Sequence, residues 1–109
     1  MEIKDLTEEM NKLFRAQGWY APDSPKKQLP RNLSISLSLE SAEVLELFQW
    51  SDSVTDVAAL RGELADVALY LFQLAYVSGI DLEQAILDKI KFNYSRVWPE
   101  DHLNKEPGT

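Results

Sequence analysis

The sequence contains no cysteine and a single histidine, His102, among its 109 residues. The lack of cysteine excludes disulfides, a thiolate nucleophile and zinc sites built on thiolates. The lone histidine near the C-terminus gives little support to histidine general-base catalysis. Glycine is also scarce: the four glycines are scattered along the chain, so no Gly-rich phosphate loop is present. The side chains left to carry chemistry are mainly carboxylates.

The sequence also lacks a membrane span, a signal peptide and an excess of basic residues, and these absences bear on where the protein is located and what it binds. No apolar run is long enough and free enough of charge to span a membrane, and the N-terminal residues lack the apolar segment of a signal peptide. We therefore expect a cytoplasmic protein without a membrane partner. Lysine and arginine number only 11 against 18 acidic residues, which gives a net charge of −7. This balance argues against a nucleic-acid polymer as partner, because such binding relies on a basic face.

The spacing of apolar residues predicts one all-α domain over residues 1–99 and a loose polar tail over residues 100–109. Residues 33–39 alternate as in a strand, but their leucines also fit a helical stripe that continues into the next segment, so we predict helix there. Residues 19–30 contain three prolines and form a loop long enough to suggest a lid or a function. Four helices are predicted: Leu6 to Gln17, Arg31 to Trp50, a cap at Thr55 or Asp56 to Ser78, and a cap at Asp81, with Gln84 completing a capping box, to Pro99.

The third predicted helix is apolar on nearly every side. Such a helix must be covered all round, and a chain of 109 residues has little packed surface with which to do so. We therefore expect self-association, as a homodimer or as a dimer of dimers, which is a homotetramer.

Two acidic doublets interrupt these apolar stretches. Glu40 and Glu43 lie on the second predicted helix, and Glu63 and Asp66 lie on the third. Residues three apart share a helix face, so four carboxylates converge if the two helices pack antiparallel. Their mutual repulsion calls for a cation, and oxygen ligands suit Mg²⁺, with Mn²⁺ as the alternative. Glu46 extends the first doublet by three residues and is a candidate ligand or base for water, although it also fits an exposed position.

The fourth helix carries a row of polar residues at positions i, i+4 and i+7, namely Lys89, Asn93 and Arg96. Two cations and an amide on one face suit phosphate oxygens. The competing interpretation is an ordinary exposed helix face. If a carboxylate metal site lies opposite, we give the two interpretations about equal weight.

Three aromatic residues are candidates for stacking on a nucleobase: Trp19, Trp50 and Tyr70. Trp50 is predicted to end the helix that carries the first doublet, and Tyr70 lies one turn beyond Asp66. Each of the three also fits a purely structural role in the core.

The pattern E-x-x-E, a gap of 19 residues and then E-x-x-D resembles that of the MazG-like all-α nucleoside triphosphate pyrophosphohydrolases. The motifs at residues 30–33, 40–50, 63–71 and 88–96 are especially similar to the dCTP pyrophosphatase branch, and the likeness covers residues 5–99. The resemblance implies a bundle of four to five helices. In the loop, Lys26 and Lys27 stand where relatives have a shorter aromatic- and histidine-containing segment, which leaves the base preference open.

The resemblance also implies which residues form the site. The motif acids would bind Mg²⁺, the row on the fourth helix would hold the triphosphate, and two tryptophans would stack on the base. The matching residues are Glu40, Glu43, Glu63 and Asp66 for the metal, Lys89, Asn93 and Arg96 for the triphosphate, and Trp50 and Trp19 for the base.

The implied activity is Mg²⁺-dependent hydrolysis of a (deoxy)nucleoside triphosphate to monophosphate and pyrophosphate, a nucleotide-pool house-cleaning reaction. The expected substrate is dCTP or a modified pyrimidine deoxynucleotide. Lys89 and Arg96 would stabilise charge on the leaving pyrophosphate, and Glu43 and Glu46 are candidates for the base. One rival is a di-iron bundle, which would need the Glu-x-x-His motif that this chain lacks. The other is a catalytically silent metal-binding helical interaction module.

Overall fold

A computed structural model of the protein describes residues 1–25 and 27–96, and it contains four α-helices in this part of the chain. They are α1 (Ile3–Ala16), α2 (Pro30–Glu46), α3 (Val57–Val77) and α4 (Leu82–Ser95). No strand occurs in the described ranges, and residues 33–39 lie within α2. The prediction of an all-α chain is therefore confirmed. The predicted end of the fourth helix at Pro99 and the polar tail lie outside the described residues.

The start of α1 lies three residues before the predicted one. Glu2 and Asp5 form a capping box, in which the backbone N–H of Glu2 donates to the Asp5 carboxylate at 2.9 Å. This pairing satisfies donors that have no partner within the helix. After the helix, Gly18 adopts a positive φ of 74°, the conformation that glycine takes at least cost. The helix ends at Ala16, one residue before the predicted end at Gln17.

The predicted caps of α3 and α4 are confirmed at Asp56 and Asp81. The Asp56 carboxylate accepts a hydrogen bond from the backbone of Ala59 at 3.0 Å, and the Asp81 carboxylate accepts one from the backbone of Gln84 at 3.1 Å. The side chain of Gln84 does not reach back to the cap as predicted; it donates to Asp88 at 2.9 Å. An exposed amide here finds a partner one turn ahead.

The end of α2 was predicted wrongly. The helix ends at Glu46 and not at Trp50, and residues 47–50 form a turn. In this turn the backbone N–H groups of Leu47 and Phe48 donate to carbonyls three residues back, at 3.1 and 2.9 Å. Such bonds tighten the backbone into a 3₁₀-like turn, which seldom continues for more than a few residues. As a result Trp50 lies outside the helix, with 90% of its surface exposed.

Three helix pairs account for the main packing contacts. The longest interface joins α2 to α3, α1 packs on α3, and α4 packs on α1. The hydrophobic residues that are fully buried come from the first three helices: Met10, Phe14, Leu33 and Ala75. The helices of the α2–α3 interface carry both acidic doublets.

Much apolar surface on α3 and α4 is left uncovered by the rest of the described chain. Leu64 of α3 is 51% exposed, Phe92 of α4 is 52% exposed, and α4 has no buried residue. The radius of gyration is 17.3 Å, whereas a compact domain of this size has one of about 13 Å. The predicted lack of cover around α3 is thus present in the single chain.

No single helix in the described ranges has the length and hydropathy of a membrane span. The helices α3 and α4 reach that threshold only when taken together, and the chain bends by 102° between them.

Candidate active site

The acidic doublets meet at the interface between α2 and α3. Glu40, Glu43 and Glu63 each place a carboxylate oxygen within 4.8 Å of the other two. Glu43 is near the end of α2 and Glu63 is near the start of α3, as an antiparallel pair requires. Asp66 lies one turn further along α3, close enough for its charge to raise the pKa of Glu40 and Glu63. We call Glu40, Glu43 and Glu63 the carboxylate cluster, with Asp66 at its margin.

Two oxygens of this cluster are buried without a partner. The Oε2 atoms of Glu40 and Glu63 are inaccessible to solvent, and neither has a hydrogen-bond partner among the described residues. Burying an unpartnered carboxylate oxygen costs free energy. Oxygen atoms from several carboxylates are also the ligands that hard divalent cations take. The residues present therefore fit a divalent metal ion.

The crowding of like charges changes how these carboxyl groups titrate. The close approach of Glu43, followed by burial, raises the pKa of Glu63 to about 6. Burial, followed by the approach of Glu43, raises the pKa of Glu40. Neighbouring carboxylates favour the protonated form because two negative charges at this distance repel. Without metal, Glu40 and Glu63 therefore retain protons at pH values where isolated glutamates are ionised.

We expect the metal-free protein to be more stable at about pH 5 than at about pH 8. The pKa of folded Glu63 is about 6 against an ordinary value of 4.5, so the folded state binds more protons in that interval. Its stability accordingly falls as the pH rises through the interval. Thermal unfolding in chelator measures the effect, which excess Mg²⁺ and Glu63→Gln should each diminish. A melting temperature that rises with pH over this interval, and that Glu63→Gln leaves unchanged, would contradict the prediction.

The remaining residues predicted to contact phosphate or water are not members of the carboxylate cluster. Glu46 is the exposed last residue of α2, three residues beyond Glu43. Lys89, Asn93 and Arg96 lie on α4 or at its end, and this helix packs mainly on α1, whereas the cluster lies between α2 and α3. One chain therefore presents this row on a different surface.

A small cavity adjoins the cluster on the side of Asp66. Its volume is about 230 Å³. The Trp19 ring packs at its wall, with its centroid 4.9 Å from that of Phe14. Aromatic walls suit a flat ring. The cavity is lined by Leu13, Phe14, Trp19, Gln28, Asp66, Leu69, Tyr70 and Gln73.

The structure thus brings two of the three predicted aromatic residues to one place. Trp19 and Tyr70 share the cavity, whereas the exposed Trp50 is not among its described lining residues. Sequence reasoning missed Gln28 and Gln73. A signal for Gln73 was present, because it follows Asp66 and Tyr70 at i, i+4 and i+7 and so shares their helix face.

Comparisons with known proteins agree with the motifs. The model of the MazG-like family matches residues 35–108. The chain is 41% identical to dCTP pyrophosphatase 1 of Homo sapiens over 76 residues, and 40% identical to that of Mus musculus over 76 residues. Each match covers 62% of this chain and 45% of the relative, so the chain spans about half the length of these curated relatives.

A solved structure is similar over most of its length. The crystal structure of a pyrophosphatase from Archaeoglobus fulgidus matches with a TM-score of 0.72 and 30% sequence identity. The match covers 84% of this chain and 87% of that one. These findings confirm the resemblance that the motifs indicated.

Proposed function

Because the chain belongs to the MazG-like family, we propose that it hydrolyses (deoxy)nucleoside triphosphates to monophosphate and pyrophosphate. The substrate we favour is dCTP or a modified pyrimidine deoxynucleotide, since relatives at about 40% identity are named dCTP pyrophosphatase 1. The observation that carries the proposal is the carboxylate cluster with an aromatic cavity beside it, joined through Asp66. The role we propose is house-cleaning of the nucleotide pool in the cytoplasm.

The residues that would hold the metal are Glu40, Glu43, Glu63 and Asp66. The unpartnered oxygens of Glu40 and Glu63 support this assignment. Mg²⁺ is the ion we favour, with Mn²⁺ as the alternative. When bound, such an ion supplies charge neutralisation for the phosphates and makes a water more acidic.

The chain's own carboxylates would handle the proton of the attacking water. Glu43 is exposed within the cluster, and Glu46 lies one turn further on at the end of α2. Either side chain would accept the proton while the water oxygen bonds to the α-phosphorus and the bond to pyrophosphate breaks. Of the two, we favour Glu43 as the base, because its carboxylate belongs to the cluster beside which the attacking water would be held.

The aromatic cavity would receive the base. Trp19 and Tyr70 line it, and stacking on aromatic side chains is a common way in which proteins hold an unpaired base. Trp50 stays a proposed stacking residue at an exposed position after α2, where its ring is accessible to a ligand.

A second copy of the chain would complete the phosphate site. The row of Lys89, Asn93 and Arg96 lies on a helix that buries none of its residues, and apolar surface on α3 and α4 is exposed beside it. Interfaces of obligate oligomers resemble a hydrophobic core cut in half. We therefore propose a homodimer or homotetramer in which α4 of one copy faces the carboxylate cluster of another.

The test of the proposed function is product analysis with a panel of canonical and modified nucleoside triphosphates. We expect Mg²⁺-dependent release of monophosphate and pyrophosphate in equal amounts, with triphosphates far better than monophosphates or nucleoside diphosphate sugars. Release of inorganic phosphate in place of pyrophosphate would overturn the assignment. Stabilisation by metal without any turnover would favour the silent metal-binding module, because ligand binding to the folded state raises its melting temperature.

A further inference from the structure

The most buried polar side chain in the described part of the protein is that of Gln73, with 1% of its surface exposed. A buried amide needs hydrogen-bond partners. The Gln73 Nε2 group donates to Oε1 of Gln28, and the amide also contacts the hydroxyl of Tyr20. That hydroxyl in turn donates to Oδ1 of Asn11 at 2.6 Å. Gln73 thereby joins both ends of the loop between α1 and α2 to the helical core.

The hydroxyl of Tyr20 stays protonated within this network. Burial raises the pKa of Tyr20, and the hydrogen bond from Gln73 opposes that effect only in part. The phenol is therefore a neutral donor toward Asn11 at physiological pH. The loop that carries Trp19 and Gln28 is held by neutral hydrogen bonds, which do not depend on the charge of the nearby carboxylates.

Gln28 and Gln73 also line the cavity beside Asp66, and they contribute the only side-chain amides among its described lining residues. The other neutral walls are aliphatic side chains and aromatic rings. A volume of about 230 Å³ is below the range of roughly 300–1,000 Å³ that holds a drug-sized ligand. It suits one flat ring, with the sugar and phosphates extending toward the carboxylate cluster.

We propose that Gln28 selects the base by hydrogen bonding to its edge, and that Gln73 is the positioning residue that orients the Gln28 amide. The proposal rests on the proposed function, since it takes the ligand to be a nucleotide. Because Oε1 of Gln28 accepts from Gln73, the base meets the Gln28 amide in one orientation. Cytosine and thymine differ by exchange of donors and acceptors on their edges, so an amide of fixed orientation matches one and mismatches the other.

The experiment measures kcat and KM for dCTP and dTTP in the wild type, Gln28→Leu, Gln73→Leu and the double variant. We expect Gln28→Leu to reduce the discrimination between dCTP and dTTP, measured as the larger kcat/KM divided by the smaller, by roughly 10-fold to 100-fold. The reason is that a polar group of the preferred base loses its partner. The change should lie mainly in KM, since the reacting phosphate lies at the carboxylate cluster. The double variant should match Gln28→Leu alone, because Gln73 acts through Gln28.

Gln84→Leu is the matched control. It removes an amide that also makes a side-chain hydrogen bond, to Asp88 at 2.9 Å, but from the exposed surface of α4. Its base selectivity should equal that of the wild type. Gln28 lies in a loop and is only half-buried, so Gln28→Leu decides the proposal even if Gln73→Leu does not fold.

Several results would overturn the proposal. They are a wild type that does not discriminate between the two substrates, a Gln28→Leu variant with an unchanged ratio, and additive effects in the double variant, which would remove the positioning role of Gln73. If no triphosphate is hydrolysed, the proposed function fails, and base selection is then tested by calorimetry of dCMP and dTMP binding. A difference in affinity between the two nucleotides that is lost in Gln28→Leu supports base selection. Absent binding, or equal affinity for the two in the wild type, overturns it.

Discussion

Glu63→Gln is expected to abolish Mg²⁺-dependent turnover while leaving the helical fold intact. Glu63 contributes one oxygen to the carboxylate cluster and has another that is buried without a partner. The amide is nearly isosteric, but it removes the charge that a divalent cation requires. We expect a loss of activity of at least roughly 100-fold, the upper end for residues that only support a metal ligand. Asp66→Asn should also abolish turnover, by removing the charge at the margin of the cluster.

Two measurements separate this result from simple unfolding. Without metal, Glu63→Gln should melt at a higher temperature than the wild type, because the variant relieves the repulsion that raises the pKa of Glu63 to about 6. Addition of Mg²⁺ should stabilise the wild type much more than the variant. Glu9→Gln is the control: it makes the same change at an exposed residue of α1 that pairs with Lys12, and activity should be retained. Near-normal activity of both Glu63→Gln and Asp66→Asn at limiting Mg²⁺ would rule out the four-carboxylate model.

The convergence of the doublets was predictable because it depends only on local periodicity. A spacing of three residues puts Glu40 beside Glu43 and Glu63 beside Asp66 on any helix. Consecutive helices that pack on each other through a reversing loop run antiparallel, so the two faces meet. The separation of Asp66 from the tightest part of the cluster was not predictable, since it depends on how far α2 and α3 slide along each other.

The position of Trp50 shows where periodicity fails. The apolar pattern continues through residues 47–50, but the backbone there changes from α-helical to 3₁₀-like hydrogen bonds. That change depends on a balance of weak interactions at the helix end, which the spacing of apolar residues does not record. The cavity was missed for a related reason. Gln28 lies in an irregular loop, and its bond to Gln73 joins residues 45 positions apart.

Lys89→Ala is expected to lower kcat/KM for a triphosphate by roughly 2–4 kcal/mol, the scale for losing one charged stabiliser of the transition state. Lys89 and Arg96 both lie near the ring of Phe92, at 5.0 and 5.5 Å from its centroid. The ring thus groups the two cations on one part of α4, where they can grip the β- and γ-phosphates. Lys91→Ala removes an exposed lysine from the same helix but outside the row, and it should have little effect.

Lys89→Ala should leave the choice of base almost unchanged, because the residues proposed to contact the base lie elsewhere. Trp50→Ala and Trp19→Ala should change the ratio of kcat/KM between a pyrimidine and a purine triphosphate, whereas Lys89→Ala should not. A change of base preference in Lys89→Ala, without one in Trp50→Ala, would show that this division of labour is wrong.

Mixing two inactive variants tests whether Lys89 acts on the carboxylate cluster of another copy. Glu63→Gln lacks the metal ligand and keeps Lys89, and Lys89→Ala keeps the ligand and lacks the cation. In a mixed dimer, one site then combines an intact cluster from one chain with an intact α4 from the other. Unfolding and refolding the two together should restore roughly a quarter of the wild-type activity for random pairing in a symmetric dimer. Light scattering should show a species larger than the 12.5 kDa chain. A folded monomer, or no recovery from a mixture shown to contain mixed oligomers, would place the phosphate contacts of α4 within one chain or remove them from the site.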